Sequence, residues 1–102
     1  MDDPQEYQRR VAAAVMQAIF DASMTEIDGK PTAYIATAEV MEALVNVMAS
    51  IMEGAPNCQS PAGIRDMTAA VARKLNVRTR EMRRIIEETG RRPFDSITIR
   101  PN

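Results

Sequence analysis

Apolar residues recur at helical spacing in three stretches of this chain, and small polar, proline or glycine residues mark where each stretch starts or stops. In the first, Tyr7, Val11, Ala14, Val15, Ala18, Ile19 and Ala22 form one stripe, with Arg9, Arg10, Gln17 and Asp21 mainly off it. Asp3 can accept from the first free amides, Pro4 suits the first helical position, and Glu6 completes a capping-box pattern. A helix over about 4–23 follows.

The periodicity then lapses. Asp28-Gly29 followed by Lys30-Pro31 is a turn signal between two short runs, 25–27 and 32–35, that suit extended backbone and an irregular hairpin. Thr37 caps the next helix, 38–53, and Gly54 stops it. Its apolar face is very wide, leaving only Glu39, Glu42, Asn46, Ser50 and Glu53 as a narrow wet edge. A helix of this kind belongs at the centre of a bundle or in a subunit interface. Met41, Leu44, Val45, Met48, Ile51 and Met52 are the candidate oligomer-interface residues.

Ser60-Pro61 opens the third stretch, whose stripe is Ile64, Met67, Val71 and Leu75. Continued without a break, that stripe would put Arg78 at an apolar position. Asn76 tolerates the left-handed backbone of a tight turn, so the reading favours two helices, 61–75 and 79–89, over one. Gly90 ends the helical region. In the extended tail 91–102, Ile97-Thr98-Ile99 between two prolines reads as one strand, to pair with 32–35 or with another subunit. The expected architecture is a single all-α domain over 1–102, a three- to four-helix bundle with at most a minor two-stranded β element.

Composition narrows the class. At 102 residues there is room for one modest core, which a second chain often completes. Only four residues are aromatic, and the apolar content is aliphatic with eight Met, which favours helix–helix packing. The net charge of −1 hides an asymmetry. Residues 1–50 carry eight acids against three bases, a net of −5, and residues 51–102 carry ten bases against six acids, a net of +4. Such halves can attract each other within or between subunits, or the basic half can meet a polyanion. One cysteine excludes an internal disulfide, the acidic N-terminus is unlike a signal peptide, and the most apolar stretch is too short to span a bilayer. A cytoplasmic protein with no membrane partner is expected.

Candidate chemistry is sparse. With no histidine, the commonest general base and metal ligand are missing. Cys58 reads as an incidental loop thiol with no activating base nearby. The pairs Glu87-Glu88 and Glu39/Glu42 read as solvated faces, and the glycines at 29, 54, 63 and 90 are too scattered for a phosphate loop. The methionines at helical spacing read as core or dimer interface rather than an open peptide groove. No catalytic residue, metal or cofactor is expected.

The sharpest pattern is residues 68–89, TAAVARKLNVRTREMRRIIEET. Ala72 behind Val71, Leu75 three further on, Asn76 at a turn, buried Val77, then Met82 and Ile85 sealing a second helix give a characteristic spacing. It resembles the helix-turn-helix segment of bacterial DNA-binding proteins. The resemblance implies that Arg78, Arg80, Arg83 and Arg84 meet phosphates and base edges. The competing reading pairs those arginines with Glu81, Glu87, Glu88 or the acidic half. The preferred function is a non-catalytic helical interaction or assembly module acting as a homodimer, with a protein partner as a second role. The alternative is a small DNA-binding regulator acting through 68–89.

Overall fold

A computed structural model describes residues 3–90 and the backbone of residues 98–100. The elements follow in the order α1 (Pro4–Ala22), β1 (Met24–Ile27), β2 (Lys30–Ala36), α2 (Thr37–Glu53), a 3₁₀ turn (Pro56–Cys58), α3 (Pro61–Thr89) and β3 (Thr98–Arg100). The chain divides into two compact units, Met1–Met41 with Ser96–Asn102, and Glu42–Asp95.

In the first unit the Asp3 carboxylate accepts from the Gln5 N–H at 3.1 Å, and Pro4 takes the first helical position of α1. The hairpin is regular. Asp28 and Gly29 both take positive φ, 52° and 76°, as a two-residue hairpin turn of the right twist requires. β1 and β2 then pair antiparallel from Ile27↔Lys30 to Met24↔Ala33. The tail strand pairs parallel to β2, Tyr34↔Thr98 to Ala36↔Arg100, so β2 is central in the order β1-β2-β3. Alternation along β2 buries Ala33 and Ile35 on the face met by α1, whose Met16, Ile19 and Phe20 are half-buried. Tyr7, Val11 and Val15, earlier on the same helix, stay exposed.

In the second unit, α2 turns into α3 through Ala55–Gln59. The Gln59 side-chain amide donates to the Glu53 and Ala55 carbonyls at 3.0 and 2.9 Å, covering acceptors left free at the end of α2. The Ser60 hydroxyl accepts from the Gly63 N–H at 3.1 Å and starts α3. Gly90, at φ 70°, ends it by donating its N–H to the Ile86 carbonyl at 2.7 Å.

Two expectations are corrected. The architecture is not a three- to four-helix bundle: it is three helices with a β-sheet built on an antiparallel hairpin. The fourth helix is missing because α3 runs unbroken for 29 residues through Asn76 and Val77. Asn costs a helix interior only about 0.5 kcal/mol, and although Val77 and Thr79 are weak helix formers as well, the Arg, Lys, Leu, Glu and Met residues around them are good ones. Arg78 is no obstacle either, because that part of the helix is exposed and its guanidinium stays in water. Of the expected tail strand, Thr98 and Ile99 lie in β3, while Ile97 and the rest of 91–97 lie outside the described residues.

Candidate assembly interface

The second unit leaves its apolar faces largely uncovered. Neither α2 nor α3 contains a buried residue, and Cys58 is the one buried position among the described residues of this unit. A hydrophobic groove of about 690 Å³ lies between the two helices. Val45, Met48 and Met52 line it from α2, Ile64, Val71 and Leu75 from α3, and Cys58 from the connecting turn.

The six interface candidates lie on one face of α2, and three of them line the groove. At about 100° per residue, Met41, Leu44, Val45, Met48, Ile51 and Met52 share an arc of roughly 120°. Val45, Met48 and Met52 occupy the flank that lines the groove. Ile51, at 68% exposure, and Val47, at 55%, are not among the groove residues and form a second apolar edge open to solvent. Leu44 is half-buried between the two edges, and Met41 lies on the part of α2 that belongs to the first unit.

On α3, Ile64, Val71, Leu75, Met82 and Ile86 fall within an arc of about 60°. Past Leu75 the stripe is interrupted at Arg78 and Thr79 and resumes at Met82 and Ile86; Met82 and the neighbouring Ile85 are exposed and Ile86 is half-buried. Met82 and Ile85, expected to seal two helices of a helix-turn-helix, instead stand exposed on one unbroken helix.

The arginines are only partly brought together. Arg80, Arg83 and Arg84 fall within about 100° on the side away from the apolar stripe, whereas Arg78 sits at the edge of the stripe, about 160° from Arg80. All four are exposed. Arg83 pairs with Glu87 at 3.7 Å, one helical turn along. Without a turn at Asn76 the segment has no second helix to set into a groove of DNA, so the helix-turn-helix geometry is absent.

Sequence reasoning missed two positions. Cys58 was expected to be an incidental loop thiol, yet it is 5% exposed and packed at the turn between α2 and α3. Gly63 is a packing requirement: a Cβ there would overlap the Asn57 carbonyl. The 3₁₀ turn that creates both had no periodic signal, although the Pro56 that opens it was visible.

Among the described residues, no group of three or more His, Cys, Asp or Glu side chains is placed to hold a metal ion. Nor, among them, is any helix long and apolar enough to cross a membrane. A comparison with protein-family models, curated proteins and solved structures returned no match to this chain.

Proposed function

We propose that this chain is a non-catalytic helical assembly module that works as a homo-oligomer, with the dimer as its smallest complete unit. One observation carries the reading. Three hydrophobic residues are buried among those described, while fifteen large ones are exposed, and nine of the fifteen lie in the α2–α3 unit.

Scattered exposed apolar residues need no partner, but continuous stripes flanking a groove do.

The test is the mass in solution. Light scattering at micromolar concentration is expected to return at least twice 11.3 kDa. A mass of one chain, with helical content intact, overturns the reading.

A further inference from the structure

The groove between α2 and α3 is lined by apolar side chains, of which Val45, Met48, Ile64 and Leu75 stay exposed, and its occupant can be identified from helix lengths. The α3 wall of the groove runs from Pro61 to Leu75. That is fifteen residues, about 22 Å at 1.5 Å per residue. Beyond the last residue that lines this groove, α3 continues from Asn76 to Thr89. That overhang is fourteen residues, about 21 Å. Its apolar edge, Met82 and Ile86, lies on the same side of the helix as Ile64, Val71 and Leu75. The chain thus carries an open apolar slot and, among the described residues, an overhang of the same length with an exposed apolar edge, on one helix.

We infer that a second copy of this chain fills the groove with its α3 overhang, and that the exchange is reciprocal. This rests on the self-assembly reading above. Reciprocity follows from two-fold symmetry, in which residue i meets j wherever j meets i. It requires the two α3 helices to run antiparallel, centred near Leu75. Ile64 of one copy then lies opposite Ile86 of the other, Thr68 lies opposite Met82, and the two Leu75 side chains meet on the axis. Charge is compatible with this arrangement. Arg80, Arg83 and Arg84 stay on the side away from the contact, Arg78 comes opposite Ala72 at its edge, and the part of α2 that borders the slot carries Glu42 and Glu53 with no basic residue to oppose it.

The pairing is tested by cross-linking the full-length chain. In a Cys58→Ala background, Leu75→Cys is oxidised with copper phenanthroline and run on a non-reducing gel. A covalent dimer is expected in high yield, because only residues on the two-fold axis meet their own copies. Arg84→Cys, on the opposite side of the same helix, is expected to remain single. A second measurement uses Met82→Glu with Ile86→Glu, which should bring the mass seen by light scattering down to that of one chain and, with it, lower the helical signal in circular dichroism. A wild-type dimer in which Leu75→Cys fails to cross-link, or in which the glutamate pair leaves the mass unchanged, overturns this inference and leaves the self-assembly reading intact. A wild-type monomer overturns both.

Discussion

Gly63 and Asn57 are so close that no side chain fits between them: a methyl group on Gly63 would run into the Asn57 carbonyl. The obstacle is backbone, which cannot swing aside as a flexible side chain would. It arises because the 3₁₀ turn ending at Cys58 folds back over the first turn of α3, where Ser60 also holds the Gly63 N–H. Gly63→Ala would ordinarily favour a helix, by up to about 1 kcal/mol. Here overpacking should win, giving a net loss of about 1–3 kcal/mol. Urea denaturation of the two proteins side by side measures it, and a variant as stable as wild type would mean the turn is not packed as described.

The hairpin turn makes a second, opposite use of glycine. Gly29 has open space around it but a φ of 76°. Gly29→Ala should therefore cost about 1 kcal/mol through backbone strain alone. Gly29→Asn should recover much of that loss, since Asn visits the left-handed region more readily than Ala. Equal losses from both variants would locate the effect in packing instead.

What the sequence made legible, and what it did not, divides along physical lines. Helix starts and stops were readable because caps are local chemistry: Asp3-Pro4, Ser60-Pro61 and Gly90 act where they stand. The hairpin was readable from Asp28-Gly29 for the same reason. The interior of α3 misled because Asn76 can either turn or continue, and its own preference is worth less than the summed propensity of the residues around it. The wide apolar face of α2 was visible too, but its division into a groove flank and the open Val47–Ile51 edge depends on where α3 lies. That is tertiary information. Cys58 and Gly63 were opaque because each matters through a contact the turn creates, not through its own type.

Burial makes Cys58 a reporter. At 5% exposure its sulfur should react slowly with a thiol reagent in the folded protein and quickly in urea. Cys58→Ala, which removes one buried atom, should cost about 1 kcal/mol and leave the fold in place. Labelling at the rate of a free thiol in native buffer would show that the turn opens readily.

The arginine side of α3 is expected to matter little for stability. Arg83 and Glu87 are both well exposed and 3.7 Å apart, an i, i+4 pair of a kind worth about 0.3–0.5 kcal/mol. Arg83→Ala should lower stability by no more than that, and the difference should shrink in 1 M salt as screening grows. A loss above about 1 kcal/mol, or one insensitive to salt, would point to a contact with another chain. The same variant measured against random duplex DNA gives the remaining check on the nucleic-acid reading. Salt-dependent binding that weakens with Arg83→Ala would favour it.

Assembly and folding should be one process, because too few residues are buried for a single chain to hold its helices unaided. When the native state is a dimer and the unfolded state is two free chains, dilution favours unfolding by mass action. Each tenfold dilution removes about 1.4 kcal/mol of apparent stability per dimer. A dimer of this chain has roughly the size for which 1 kcal/mol moves Tm by about 2–4 °C. Thermal unfolding followed by circular dichroism from 100 μM down to 1 μM, a hundredfold range, should therefore lower Tm by roughly 5–10 °C. A monomeric fold would melt at one temperature throughout. Met82→Glu with Ile86→Glu should weaken the dimer and so lower Tm at every concentration, the highest included. If that variant instead melts at the wild-type Tm at every concentration, the chains associate through another surface, and the open edge at Val47 and Ile51 becomes the one to change next.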